Sequence, residues 1–443
     1  MKTPIFNFVK RYAKQKNLRL HMPGHKGKLY AEDITEIDGA GVLYSDGDII
    51  SESENNCSTL FGTGKTVYSA EGSSLSIKAT VYMLTVWSKL TNRQPKILAV
   101  RNAHKSFINA VALCNARVEW LFPKEFTTLT ACPVTANDLD EVLSSQEEKP
   151  TAFYITSPDY LGNIADINGI AQVCKKHGVL LVVDNAHGAY LNFLQDNLHP
   201  INLGADICVD SAHKTLPVLT GGAYLHISKS APDYFKQNAK KAMSIFASTS
   251  PSYLILSSLD RANAVLYNGY KDKLSAFAKK LKVLKTELVS AGYTLVGGED
   301  LKITISAKPY GYTGKKLADY LLSKGIVCEF YDEDFVVLMF SLSNKKSAIK
   351  KVKNALLSLE KFLAIEPTVL PLVKPTSVLS PTEALFAPSE VLPIDSCVGK
   401  ILSSVTVSCP PAVPILVCGE RVDEDFLPLL KYYGIKTLSV VKE

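Results

Sequence analysis

From about residue 56 to 230 short apolar runs alternate with segments of helical periodicity. Ile97–Val100, Ala152–Thr156, Val179–Asp184, Ile207–Val209 and Ala223–Ile227 read as strands, and Ile167–His177 and a segment from Ser106 as helices. Strands separated by helices need crossover connections, which predicts a mostly parallel sheet covered on both faces. This stretch defines a large α/β domain over residues 56–270. Ahead of it lies an N-terminal segment, 1–55, in which Ile5, Phe8, Val9 and Tyr12 space out an amphipathic docking helix.

Beyond residue 270 the pattern changes. Leu274, Phe277, Leu281, Leu284 and Leu288 recur at steps of three and four, and Gly292 supplies a stop. Tyr293–Val296, Leu301–Ser306 and Phe335–Phe340 then read as strands, with helices at Gly314–Lys324 and Lys345–Leu363. A small α+β domain over 271–366 follows. Nine of the 22 prolines fall between Pro367 and Pro414, beginning with Glu366-Pro367. Proline removes donors and stiffens extended chain, so a short C-terminal module is expected over 367–443.

Composition narrows the class. At 443 residues, 47% hydrophobic and 21% charged, the chain reads as a soluble multidomain protein. Its apolar runs have the length of strands, not membrane helices. The net charge of +6 is modest, and the lysines of 271–285 and 345–353 read as solvated helix faces, which argues against a nucleic-acid partner. Nine cysteines at irregular spacing suit neither a disulfide framework nor a metal site, and point to a reducing cytoplasm.

Candidate chemistry collects at strand ends. Lys214 follows the strand Ile207–Val209, where α/β folds place ligands, and an amine there can form an imine with an aldehyde cofactor. Alone it would read as an ordinary loop lysine. Asp184 changes that reading. It ends a nearly all-apolar strand thirty residues before Lys214, and its carboxylate could keep the nitrogen of a pyridine cofactor protonated. A metal-binding or helix-capping aspartate is the other reading, with His187 nearby but no further ligand at suitable spacing. Ser73 and Ser74 open a helical run to Leu90, either as a phosphate site or simply as caps. His104, after the strand Ile97–Val100, could stack on a cofactor ring, and Ser211 and His213 flank the lysine with donors suited to a phosphate.

Taken together these pieces resemble the Orn/Lys/Arg decarboxylase family of fold type I pyridoxal 5′-phosphate enzymes. The matching text is HMPGHKG (His21–Gly27), DITEIDG (Asp33–Gly39), RNAHKS (Arg101–Ser106), ITSPDYLG (Ile155–Gly162), DNAHGA (Asp184–Ala189), SAHKTLP (Ser211–Pro217) and STSPSYLILSSLD (Ser248–Asp260). VPILVCGE (Val413–Glu420) matches more loosely. The resemblance implies an aspartate-aminotransferase-like large domain with pyridoxal 5′-phosphate joined to Lys214 as a Schiff base. Asp184 would meet the ring nitrogen, His104 would stack on the ring, and Ala186 and His187 would lie beside it. Gly72, Ser73, Ser74, Ser211 and His213 would surround the phosphate.

The same resemblance implies decarboxylation of lysine, ornithine or arginine to a diamine or agmatine. It also implies a homodimer or larger assembly, with Ser248 and Thr249 reaching the neighbouring subunit's phosphate. The distal cation of such a substrate calls for a carboxylate, for which Glu390 and Glu420 are candidates, with His25 a further candidate contact. Three departures stand out: Glu71 where the family usually has Asn, Asn185 where it has Glu, and Ala40-Gly41-Val42 where it has paired aspartates. Glu71 and Asn185 motivate a non-catalytic paralogue as a rival reading, beside another reaction of the same cofactor, since fold does not fix chemistry, and a phosphate-ligand binding module without imine chemistry.

Overall fold

The computed structural model describes residues 1–124, 128–366, 373–405 and 412–442. Helix α1 (Pro4–Ala13) starts on a proline, whose missing N–H falls where no intrahelical partner exists. Its buried Ile5 and Val9 pack in one apolar cluster with Leu256 and Leu259 of α9 (Tyr253–Tyr267), as the amphipathic spacing predicts. Helix α2 (Ile49–Phe61) is capped by Asp48, whose Oδ1 accepts the amides of Ile50 and Ser51 at 3.0 and 2.9 Å. This helix runs across residue 56, where the alternating pattern of the sequence begins.

The central sheet has seven strands in the order β1-β7-β6-β5-β4-β2-β3. They are β1 (Lys65–Ser69), β2 (Lys96–Val100), β3 (Arg117–Leu121), β4 (Ala152–Thr156), β5 (Leu180–Asp184), β6 (Ile207–Asp210) and β7 (Ala223–Ile227). Strands β2 to β6 run parallel, and β7 is antiparallel to both of its neighbours. Helices α3 (Ser73–Leu90), α4 (Lys105–Leu113), α5 (Ala136–Ser145) and α6 (Ile167–His177) make the crossovers. Short α7 (Ala212–Thr215) follows β6, and α8 (Asp233–Phe246) packs against α3. The apolar runs of β4 and β5 divide their side chains between two cores, one on each face of the sheet, while β6 adds Ile207 and Val209 to the first.

Helix α10 (Tyr270–Ser290) leads into the small domain. Its antiparallel sheet has the order β10-β11-β9-β8, from β8 (Thr294–Val296), β9 (Lys302–Ser306), β10 (Phe330–Tyr331) and β11 (Phe335–Met339), packed with α11 (Gly314–Ser323) and α12 (Ala348–Leu357). The last helix is shorter than its periodicity suggests. Past Leu357 the backbone turns to bond the 308–310 segment, with Phe362 N–H donating to Tyr310 O and Ile365 N–H to Lys308 O.

The expected boundary at 367 lies outside the described residues. The described part of the C-terminal module holds α13 (Pro381–Phe386), α14 (Leu427–Tyr432) and an antiparallel pair, β12 (Ser389–Pro393) and β13 (Thr437–Val441). It has its own core around Leu402, Leu416, Val422 and Val440. Through α13 it docks on α4, where Thr382 Oγ1 donates to Ala112 O at 2.8 Å. Among the described residues no helix is long and apolar enough to cross a membrane.

Candidate active site

The parallel strands deliver their following residues to one end of the sheet, beside the N-termini of α3 and α4. There a cavity of about 290 Å³ is lined by Ser73, His104, Thr156, Asp184, His187 and Lys214, among others. The sequence-predicted pair is thus in one pocket, because β5 and β6 are neighbours and Asp184 and Lys214 follow each strand to the same edge.

Lys214 Nζ lies 2.9 Å from His187 Nε2. Burial, then the charge of Lys214, pushes the imidazole of His187 well below its ordinary pKa, so the neutral ring accepts from the ammonium. The ring proton then sits on Nδ1, which is buried without a hydrogen-bond partner among the described residues. Asp184 is almost fully buried. Tyr154 OH donates to one carboxylate oxygen at 3.0 Å and the Ala186 amide to the other at 3.2 Å. Burial pushes its carboxyl above the ordinary range, against the opposing effects of Tyr154 and Lys214. A buried carboxylate in that condition calls for a cation.

Behind it, Asp210 has its partners in place. One oxygen faces His199 and His226 at 3.0 and 3.3 Å, and the other accepts Asn185 Nδ2 at 2.7 Å and Cys208 Sγ at 3.4 Å. Burial would raise this carboxyl, but the two histidines hold it well below the usual range. His199, Cys208 and Asp210 lie close enough to share a metal ion, a grouping the sequence spacing did not suggest. In the structure their polar atoms bond one another.

His104 caps α4. Its Nδ1 accepts the Ser106 amide at 3.1 Å, which places the ring proton on Nε2. Burial, followed by the charges of Lys214 and Lys105, lowers its pKa to about 4, so an uncharged ring faces the pocket. One turn on, Phe107 stacks on Tyr154 with centroids 4.0 Å apart. This contact ties the helix bearing His104 to the phenol that holds Asp184. Phe107→Ala, which empties a fully buried site, is expected to cost about 3–5 kcal/mol of stability, read by urea unfolding at 25 °C.

The first turn of α3 begins without a side-chain cap. Its N-cap is Gly72, which has a φ of 74°. The Gly72 amide donates to Gly221 O at 2.7 Å, and a Cβ on Gly221 would meet Ala70 O at 2.9 Å, so Gly221 permits the close approach, while the positive φ is what calls for glycine at 72. No side chain of the N-cap therefore satisfies the first-turn amides of α3, and amides at a helix start suit an anion. Ser211 Oγ donates to Ser73 Oγ, and Ser74 pairs with Ser106, each at 2.7 Å. Glu71, just ahead of this turn, accepts the Ser248 amide through Oε1 at 2.7 Å and ties down the exposed 248–249 loop.

Other expected site residues fall elsewhere. His213 donates from Nδ1 to Gly222 O and lines a separate open groove, about 760 Å³, on the far side of Lys214. It is not among the residues that line the cavity of about 290 Å³. His25 lies outside the pocket lining, 3.0 Å from Asp33. Glu390 sits on β12, pairing with Val440. Glu420 is buried against Arg101 at 2.8 Å, so its charge is already matched. The pocket's second carboxylate, among the described residues, is Glu329, which precedes β10 and accepts Tyr160 OH at 3.1 Å. No local motif marks it, since it reaches the pocket from the small domain.

A lysine and a buried carboxylate on adjacent strand ends, beside an uncapped helix start, define a fold type I, pyridoxal-phosphate class of enzyme. The donors fit that cofactor, with Asp184 awaiting a cation and His187 Nδ1 still to be paired. The sequence profile described as "Orn/Lys/Arg decarboxylase, major domain" matches residues 3–291. The chain belongs to the Orn/Lys/Arg decarboxylase family, a family of pyridoxal-phosphate-dependent decarboxylases. It is 25% identical to an arginine decarboxylase of Halalkalibacterium halodurans, over 100% of this chain and 98% of that protein. It is 27% identical to the protein YaaO of Bacillus subtilis, over 96% and 93% of the two chains. Among solved structures, the lysine decarboxylase LdcF of Francisella novicida superposes with a TM-score of 0.81 at 16% identity, covering 99% of this chain and 81% of that one.

Proposed function

We propose that this protein removes the α-carboxylate of a basic amino acid (arginine, lysine or ornithine) as carbon dioxide, with pyridoxal 5′-phosphate held by Lys214. The observation that carries this reading is the convergence of Lys214, Asp184, His104 and Glu329 on one cavity. When bound, the cofactor supplies a cationic conjugated ring that accepts the electron pair left by the departing carboxylate. Asp184 supplies the negative charge that keeps the ring nitrogen protonated. The uncharged imidazole of His104 offers a face for stacking, and Ser73, Ser74 and the first amides of α3 take the phosphate. Lys214 and His187, 2.9 Å apart, hold a proton that can be returned to the substrate's α-carbon. Ile77, Ala412 and Val413 line the cavity with apolar surface, which keeps water from the reacting bond.

Glu329 is the group suited to the substrate's distal cation. Glu329→Gln is expected to raise KM for the basic amino acid about tenfold with a smaller change in kcat, the modest factor reflecting an exposed carboxylate. Steady-state kinetics at two salt concentrations checks it. The reaction class is tested by product analysis with lysine, arginine and ornithine. An amine without a keto acid supports decarboxylation, and a keto acid supports transamination.

Self-association completes the reading. The segment from Leu18 to Tyr30 exposes Leu18, Leu20, Met22, Leu29 and Tyr30. A second copy of the chain would cover that apolar arm.

A further inference from the structure

Arg101 and Glu420, separated by 319 residues, meet in the seam between the large domain and the C-terminal module. Glu420 Oε2 accepts Arg101 Nη2 at 2.8 Å and the Val417 amide at 2.7 Å. The same Nη2 donates to Ile415 O at 2.9 Å, and the guanidinium lies over Trp120, 4.9 Å from its centroid. Four residues later the Lys105 amide donates to Ala412 O at 3.0 Å. Segments 101–105 and 412–420 are therefore stitched at both ends. The stitched segments carry Asn102 and His104 on one side and Ala412 and Val413 on the other, and all four line the cavity.

Stability alone is a weak reason for such a pair, because desolvating two charges offsets most of their attraction. Arg101 Nη1 and Glu420 Oε1 are both buried without a hydrogen-bond partner among the described residues. What the pair does provide is register between two distant segments. We propose that Arg101 and Glu420 are positioning residues, a latch that fixes Ala412 and Val413 as a wall of the substrate pocket and steadies the loop bearing His104. The substrate part of this inference rests on the decarboxylase reading, whereas the latch itself does not.

The test compares Glu420→Ala, the milder Glu420→Gln, and the apolar pair Arg101→Met with Glu420→Leu, all as cofactor-loaded protein. Amide hydrogen exchange is read in peptides covering 101–106 and 412–420, alongside KM and kcat for the basic amino acid. Glu420→Ala, or Glu420→Gln should the alanine variant not fold, is expected to speed exchange in both peptides about tenfold or more. KM should rise by a similar factor while the cofactor's absorbance stays in place. The apolar pair is expected to restore protection and bring KM to within about threefold of the parent, since packing replaces the charges.

Unchanged exchange in both peptides of the single variants would overturn the latch. Restored exchange with KM still poor in the apolar pair would also overturn it, because Glu420 would then be touching substrate. Absence of turnover with every basic amino acid would sink the decarboxylase reading alone and leave the exchange experiment to decide the latch.

Discussion

Lys214→Ala is expected to eliminate the visible absorbance of lysine-bound cofactor and lower turnover by at least about 10³-fold. Among the described residues the position has no substitute. Within the pocket the other basic side chains are His104 and His187, both driven to the neutral state by burial. Some cofactor affinity should survive through the start of α3 and Asp184, so equilibrium dialysis would find the ligand bound but without the lysine-linked spectrum. A Lys214→Ala protein with unchanged spectrum and ligand affinity would instead support a binding module that performs no imine chemistry.

The second large effect is at Asp184. Asp184→Asn retains shape but removes the charge, and kcat should fall about 10²- to 10⁴-fold with little change in KM. Stability of the cofactor-free protein should move the other way. Folding raises this carboxyl's pKa, so the folded state holds a proton more tightly than the unfolded chain does. Stability therefore declines as pH rises from the unfolded pKa towards the raised one, and stays reduced above it. At pH 8 the cofactor-free wild type carries that penalty and the Asn variant does not. Thermal unfolding at pH 8 should accordingly give the Asn variant the higher Tm without cofactor, and this advantage should shrink or reverse once cofactor is added. A lower Tm in both conditions would show that Asp184 is chiefly structural.

The two sides of the site were unequally visible in the amino-acid sequence. Strands β4 to β7 announce themselves as apolar runs because they are buried on both faces, and the residues that follow β2, β5 and β6 carry the chemistry in short unbroken motifs. Strand β3 is silent, since it lies at the sheet edge and begins with the exposed Arg117 and Glu119. Strand β1, short and half polar as Lys-Thr-Val-Tyr-Ser, is equally quiet. Residues brought in by tertiary contact were harder still. Glu329 reaches the pocket from the small domain, and local text could not separate it from Glu390 or Glu420, whose positions are set by β12 and by Arg101. The partner of Glu71 was equally hidden, because the Ser248 amide that its carboxylate accepts lies 177 residues away in the chain.

The seam between Arg101 and Glu420 has a consequence for the order in which the chain is made. When Arg101 leaves the ribosome, the segment that matches its charge has yet to be translated, and 319 residues must follow before Glu420 arrives. Until then the guanidinium must stay hydrated and the pocket must lack one wall. A nascent large domain can gather its sheet early, as domains do during synthesis, but it cannot present a finished cavity to a basic amino acid. The site is thereby finished only after residues 412–420 have been made, so a chain cut short before residue 412 would keep most of its sheet and still lack part of its pocket.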